Sequence, residues 1–422
     1  MRILHTADWH LGATLHELSR EAEHAAFLDW LLATIAAERV DALLIAGDLF
    51  DHGNPSSASQ RLWYHFAAEA RRRFPGLDVV AVGGNHDSAA RLEAPVPLLD
   101  ELGVTVVGAY PWGGSDDEVA RLVVPLGARR GTVEAWVAAV PYLRPVGVAD
   151  RPAEVGPDPL IEAVRGAYAR VIGLARQRRE PGQAVVAMGH GYLVGGVLSE
   201  LSEHKVLGGN QHPLPVDLFP DDVAYVALGH LHLPQTVAGR EHVRYAGSPL
   251  PLSVSEAGYR NQVVLVEVQD GVVTEVRPLV VPRSVGMRRV SPVGSVEAAW
   301  PRARVLEALA ALPARDGAGA SETWPYLDVA VDVSAGPDPD VRAAVEGALA
   351  DRAARLVRLA LVRTHETEGG TPPTPPPPVS ELQPEEVFVL RYQSTYPTKP
   401  APELLAAFHD LLGEVTREEV GA

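Results

Sequence analysis

Five short polar clusters carry the side chains that could do chemistry: Asp8-Trp9-His10, Gly47-Asp48-Leu49-Phe50-Asp51, Gly84-Asn85-His86-Asp87, Gly189-His190 and Gly229-His230-Leu231-His232. Pooled, they offer the carboxylates of Asp8 and Asp48, the amide oxygen of Asn85 and the imidazoles of His10, His190, His230 and His232. A mixed oxygen and nitrogen set of this kind suits manganese, iron or zinc and suits calcium poorly, and manganese is the first choice. Two divalent ions about 4 Å apart, bridged by one carboxylate, could clamp a phosphate and stabilise charge on the attacking and leaving oxygens, so phosphoester hydrolysis is the natural task. Taken singly, a His or Asp at a strand end is more often a capping or hydrogen-bonding residue than a ligand. It is the conjunction of the clusters, in order and each after a strand-like run, that carries the metal-site reading.

Local spacing supports convergence. Asp8 and His10, like His230 and His232, flank a single residue and are expected on one side of an extended segment. Glycine before Asp48, Asn85, His190 and His230 allows a sharp turn and close approach of backbone to a bound group.

The elements that must position these residues are apolar runs alternating with helical patterns. The candidate strands are Arg2–His5, Ala42–Ala46, Val79–Val82, Val104–Val107, Ala135–Val140, Ala184–Met188, Val223–Leu228 and Val263–Val268. Phe27, Leu28, Leu31, Leu32 and Ile35 recur at helical spacing between the first two. This alternation predicts a layered α/β domain over residues 1–275, its strands buried on both faces, with ligands gathering at the carboxyl ends of the strands.

From residue 283 to 364 the pattern changes to a helix near Arg304–Leu312, a strand Tyr326–Val333, a helix near Asp340–Ala350 and a strand Leu356–Val362, a small separate α+β domain. A linker over 365–383, with the run Pro375–Pro378, is expected to be extended. Beyond it, residues 384–419 hold a helical module with Leu404, Leu405, Phe408, Leu411, Leu412 and Val415 on one face. An apolar stripe behind a tether is suited to docking onto a partner helix, the alternative being that it folds back onto its own body.

With 46% hydrophobic and 22% charged residues the 422-residue chain has the composition of a folded protein. The absence of cysteine excludes disulfides and thiolate metal sites. No apolar segment is long enough to span a bilayer and no leader-like segment opens the chain, so a cytoplasmic location is expected. The net charge of −17 argues against a simple DNA-coating protein, because nonspecific phosphate affinity comes mainly from Lys and Arg. Divalent metals, a basic partner, or the runs Arg71–Arg73 and Arg176–Arg179 could offset it, although such runs are as often solvated helix ends.

The order D-x-H, G-D-x-x-D, G-N-H-D, G-H, G-H-x-H resembles that of the calcineurin-like metallophosphoesterases. Within them, GDLFDHGNPS at Gly47–Ser56, ALGHLH at Ala227–His232 and EHVRYAGSPLPLS at Glu241–Ser253 are similar to the SbcD family of bacterial nuclease subunits, which act with the ATPase SbcC. The resemblance covers nearly the whole chain. It implies a layered two-sheet metallophosphoesterase domain with helices on both outer faces, a small α+β capping domain and a C-terminal helical tail that binds SbcC. It also implies that Asp8, His10, Asp48 and His232 hold one metal and Asp48, Asn85, His190 and His230 the other, with Asp48 as the bridge. His86 would stabilise or protonate the leaving oxygen and Asp87 would orient His86. Asp51 could orient a ligand or cap the next helix. The other histidines, including His16, His24, His65, His204 and His242, have no ligand spacing and are expected at the surface or in the core.

The implied function is a DNA nuclease, exonuclease on duplex ends and endonuclease on single strands or hairpins, in DNA end processing and repair. Two copies would pair through helices near Ser57–Phe74 and Pro95–Leu102, a homodimer within a heterotetramer with SbcC. Two other functions fit less well. Protein phosphatases of this superfamily read G-D-x-V-D-R-G, where arginine grips phosphate, and here His52 holds that position, which disfavours a phosphoprotein or small phosphoester substrate. A noncatalytic scaffold is disfavoured because every expected ligand and His86 are present.

Overall fold

A computed structural model describes residues 1–144, 159–197, 214–291, 299–316, 319–336 and 338–363, with Tyr392, Leu404 and Phe408. The chain divides into units Met1–Thr364 and His365–Ala422. The expected linker over 365–383 and, apart from those three residues, the expected helical module over 384–419 lie outside the described residues, as does His204.

The strands of the first unit are β1 (Arg2–Thr6), β2 (Thr14–Leu15), β3 (Leu18–Ser19), β4 (Ala42–Ala46), β5 (Asp78–Val82), β6 (Val104–Val107), β7 (Val123–Leu126), β8 (Ala135–Ala139) and β9 (Ala184–His190). They continue with β10 (Tyr225–Gly229), β11 (Gln235–Val237), β12 (Arg240–Tyr245), β13 (Gln262–Gln269), β14 (Val272–Val280), β15 (Met287–Val290), β16 (Trp300–Pro301), β17 (Tyr326–Asp332) and β18 (Arg355–Val362).

Two six-stranded sheets form the main body, in the orders β14-β13-β1-β4-β5-β6 and β11-β12-β10-β9-β8-β7. The strands that lead into the polar clusters are parallel neighbours: β1 with β4, β4 with β5, and β9 with β10. Their apolar side chains serve two layers, as buried parallel strands must. Leu44 and Ala46 of β4 belong to the core between the sheets, while Leu43 and Ile45 face an outer core. That outer core is closed by helix Glu21–Glu38, through Phe27, Leu28, Leu31, Leu32 and Ile35, and by helix Ser57–Arg73, through Trp63 and Phe66. On the far side, helix Pro159–Arg178 packs Val164, Tyr168, Val171, Ile172 and Ala175 into the inter-sheet core cluster. Full burial of a Leu such as Leu31 contributes about 1.5–3 kcal/mol, so these stripes fix which helix faces inward. The body is therefore a layered two-sheet domain with helices on both outer faces.

Helix Ser57–Arg73 starts at Ser56, whose Oγ accepts from the Ser59 amide at 3.1 Å. Ser56, not Asp51, is thus its cap.

The third sheet has β17 at its centre, β18 along one edge and β15 and β16 in tandem along the other, all parallel to it. Helices Arg302–Ala310 and Val341–Leu349 cover it, and its core of Val305, Leu309, Val329, Val331 and Val345 is separate from the other two. A buried polar link ties it to the main body: the Tyr326 hydroxyl donates to Glu23 Oε1 at 2.7 Å, Glu23 pairs with both Nε and Nη2 of Arg20 at 2.9 Å, and Arg20 Nη1 donates to the Pro251 carbonyl at 2.6 Å. Among the described residues no helix is long and apolar enough to cross a membrane.

Candidate metal centre

The five clusters follow β1, β4, β5, β9 and β10, and the packing of the two sheets brings the ends of these strands together. Glycine is needed where they meet. A Cβ at Gly229 would overlap the Ala46 carbonyl, one at Gly84 would overlap the Asp48 carboxylate, and one at Gly47, which has φ of +92°, would overlap the His190 ring.

The backbone differs from the expected extended geometry. Asp8, His10, Asp48 and His230 all have positive φ, at 53°, 45°, 48° and 102°. The side chains of the D-x-H and H-x-H segments therefore converge through left-handed turns and not through strand alternation. Asp tolerates this region better than most residues, yet four such positions store strain that surrounding bonds must offset. Those bonds are Asp8 N to Gly47 O, His10 N to Asp48 O and Leu11 N to Leu49 O, each 3.0 Å. The His86 amide also donates to Asp48 Oδ1 at 2.9 Å, and the His230 amide to Asp8 Oδ1 at 2.9 Å.

All seven expected ligands lie in one cluster. Asp48 Oδ2 is 3.3 Å from His190 Nε2 and 3.6 Å from His10 Nε2. Asp8 Oδ1 is 3.9 Å from His190 Nδ1. Asn85 Oδ1 lies 2.9 Å from His190 Nε2 and 3.0 Å from His230 Nδ1. The rings of His10 and His232 meet edge to face at 5.3 Å, as do those of His190 and His230. Two triads bring one donor atom of each member within 4.8 Å of the others, Asp8 with Asp48 and His190, and His10 with Asp48 and His86. Asp48 is common to both, the position a bridging carboxylate must take.

The distal ring nitrogens are fixed by second partners. His190 Nδ1 donates to the Ala46 carbonyl at 2.9 Å, His10 Nδ1 to Asp51 Oδ1 at 3.1 Å and His232 Nδ1 to Glu256 Oε1 at 2.9 Å. Each of these three rings thereby turns Nε2 the other way, the arrangement that metal-binding histidines use. His10 Nε2 is buried and has no hydrogen-bond partner, an orphaned atom of the kind a cation would satisfy.

The electrostatics point the same way. Burial pushes the Asp8 carboxyl up to about 7. Burial would also raise Asp48, but the charges of His190, His10 and His86 outweigh it and hold the carboxylate well below its usual range. Burial would lower His190, and the negative charge of Asp48 and Asp8 instead raises it to about 9. The buried carboxylates thus draw positive charge to the point between the imidazoles. The donor types, the orphaned nitrogen and this charge balance all fit a divalent metal centre.

His86 stands at the edge of the cluster, its ring 4.7 Å from that of His10 and nearly perpendicular to it. Its Nδ1 hydrogen-bonds the Asp51 carbonyl at 2.8 Å. The expectation that Asp87 orients His86 is therefore corrected. The Asp87 carboxylate accepts instead from the amides of Leu49 and Phe50 at 3.0 Å and of Gly84 at 2.9 Å, and so staples the Gly47 loop to the Gly84 loop. Burial first, and then the charge of Asp48, raise Asp87 to about 6. Asp51 acts twice, its side chain on His10 and its carbonyl on His86. Fully buried Glu256 carries no sequence signal for this role, since its contact to His232 spans 24 residues and follows no period.

Comparison with known proteins adds an independent line. Residues 1–234 match the profile of the calcineurin-like phosphoesterases, and residues 287–396 match that of the type 5 capsule protein repressor C-terminal domain. The chain is 40% identical to SbcD, the smaller-lettered half of the nuclease SbcCD, of Rhodobacter capsulatus over 93% of its own length and 94% of the relative's. It is 32% identical to SbcD of Bacillus subtilis strain 168, over 82% and 80% of the two chains. For SbcD of Escherichia coli K12 the identity is 37%, over 67% and 68%.

Proposed function

This chain belongs to the SbcD family of calcineurin-like phosphoesterases, a metal-dependent phosphodiesterase and nuclease subunit, and on that footing we propose that it cuts DNA with a partner ATPase at the centre built on Asp48. The single observation that carries the reading is the pair of donor triads sharing Asp48.

In this proposal Asp8, His10, Asp48 and His232 hold one ion and Asp48, Asn85, His190 and His230 the other, with manganese as the metal. When bound, the two ions supply Lewis acidity, polarising the phosphodiester and activating water. The remaining work belongs to the chain. Asp51, Ala46 and Glu256 hold the imidazoles of His10, His190 and His232 with Nε2 turned away from these partners. His86 is tethered through Nδ1 to the Asp51 carbonyl, and its Nε2 delivers a proton to the leaving oxygen. Asp87 keeps the two loops that carry Asp48 and Asn85 in register.

The partner is an SbcC ATPase, which the relatives' names imply for their own complexes. Residues 283–364 form the capping domain and residues 384–419 bind SbcC, the linker between them being 365–383. The protein works in the cytoplasm as a homodimer within a heterotetramer. Acidic net charge is compatible with this role because phosphate contacts can come from the metals and the partner.

The test is cleavage of end-labelled duplex and hairpin DNA with manganese, with and without SbcC and ATP, beside His86→Ala. The variant should bind manganese normally and lose about 100-fold or more in rate, the scale of a general acid. If no DNA is cut under any condition while an aryl phosphodiester is hydrolysed, the DNA substrate is wrong.

A further inference from the structure

The cluster described above offers carboxylates, an amide and imidazoles, yet a phosphodiester strand also calls for fixed cationic donors. His52 does not supply them: its Nε2 is 3.0 Å from Asp51 Oδ2, and an imidazole lacks the two-pronged donor geometry of a guanidinium.

Arg144 has the chemistry and the place. The segment after β8 is pinned beside the Gly84 loop, because the Tyr142 amide donates to the Gly83 carbonyl at 2.8 Å. The half-buried Tyr142 ring meets His190 edge-on at 6.1 Å, and the Arg144 guanidinium carbon lies 5.7 Å from the centre of the same ring. Arg144 Nη2 donates to the Asp87 carbonyl at 2.6 Å and reaches the Asn85 carbonyl at 3.3 Å. These two carbonyls flank His86, so the guanidinium lies on the backbone that presents both a proposed metal ligand and the proposed proton donor. Both bonds use Nη2, which leaves the Nε and Nη1 donors for an external acceptor. The side chain is exposed and can reach one.

We propose that Arg144 is a substrate-contacting residue, which braces the 85–87 backbone through Nη2 and grips a nonbridging phosphate oxygen of the bound strand through Nε and Nη1. The proposal rests on the phosphodiesterase reading above. It assigns the cation that orients the phosphate to the segment after β8 and not to the G-D-x-x-D loop, where His52 stands.

The experiment compares full-length wild type, Arg144→Gln and Arg144→Lys with manganese on two probes, bis(p-nitrophenyl) phosphate and a labelled single-stranded oligonucleotide. Binding of the oligonucleotide is measured in a His86→Ala background so that the strand survives. Arg144→Gln is expected to raise KM on both probes by about 10-fold, the scale of one charge-assisted hydrogen bond, with manganese stoichiometry and melting temperature unchanged. Its log K against log salt slope for the oligonucleotide should flatten by about 0.7, the loss of one phosphate contact to a single strand. Arg144→Lys should restore the slope, because the charge returns, while KM stays raised because the fork does not. Unchanged KM and slope in Arg144→Gln would overturn the proposal. So would loss of manganese binding in Arg144→Gln with kcat falling and KM and slope untouched, since the arginine would then brace the loop alone. If wild type cuts no DNA but hydrolyses the aryl diester, the nuclease reading fails, and KM on the aryl diester still decides the role of Arg144.

Discussion

Glu256→Ala isolates the contribution of a residue that touches no proposed metal directly. Its carboxylate is fully buried, with Oε1 2.9 Å from His232 Nδ1 and Oε2 accepting from the Leu252 amide at 2.6 Å. Truncation removes the partner that fixes the His232 tautomer and ring plane. Loss of such a partner lowers metal affinity by about 10–100-fold, or about 1.4–2.8 kcal/mol. It also leaves the Leu252 amide without that carboxylate, which costs about 1–3 kcal/mol of apo-protein stability. The two effects separate by method: manganese titration calorimetry reports the first and denaturant unfolding of the metal-free protein the second. The weakening should be confined to the ion held by Asp8, His10 and His232, so a biphasic isotherm should lose one phase and keep the other. Glu256→Gln retains an acceptor oxygen and nearly the same volume, and should fall between wild type and Ala on both measures. Two manganese ions bound by Glu256→Ala within about threefold of wild-type affinity, well inside the range expected for a lost outer partner, would refute the role assigned to Glu256.

Two further outcomes follow from the same geometry. Gly84→Ala places a methyl group on the Asp48 carboxylate, so it should abolish manganese binding by calorimetry while far-ultraviolet circular dichroism keeps its wild-type shape. Burial, aided by the charge of Arg20, lowers His24 to about 3, so between pH 6.5 and 3 the unfolded chain takes up a proton that the native state refuses. Stability is then complete above pH 6.5 and falls below it by about 1.4 kcal/mol per pH unit, and metal-free His24→Leu should lose about 2 kcal/mol less than wild type between pH 7 and 5 in urea unfolding.

The strands that build the site were legible because they are buried on both faces. Runs such as Ala42–Ala46 and Ala184–His190 are nearly all apolar and end in glycine and a polar residue. The edge strands β12 and β14 were not, since REHVRY and VVTEVRPLV lie half in solvent and carry charges that hide their period. A turn signal was nonetheless present: Asp270-Gly271, both at positive φ, joins β13 to β14 and is the pair expected of a tight hairpin. The ligand types at the site were readable from residue chemistry, whereas the means of holding them were not. Left-handed backbone at Asp8 and His10, the stapling by Asp87 and the approach of Glu256 to His232 all depend on tertiary contacts that no local pattern encodes.

Those tertiary contacts also explain why the centre draws on both sheets. Asp8, His10, Asp48 and Asn85 come from the end of the first sheet and His190, His230 and His232 from the second, so the donor set exists only when the two are packed. The links across the seam are polar and buried: His190 Nδ1 to the Ala46 carbonyl, the His230 amide to the Asp8 carboxylate, and Ser248 Oγ to the Asp8 carbonyl at 2.9 Å. Burying two carboxylates among four imidazoles costs desolvation that hydrogen bonds offset in part, as the raised Asp8 and the unpartnered His10 Nε2 attest. A divalent cation placed among them offsets the remainder and binds the packed state in preference to the separated one. By linkage, metal affinity and the packing of the two sheets are then one free energy measured in two ways. Glycine at 229 permits the close approach that makes this coupling possible, because any side chain there would hold the Ala46 carbonyl, and with it His190, away from the first sheet's carboxylates.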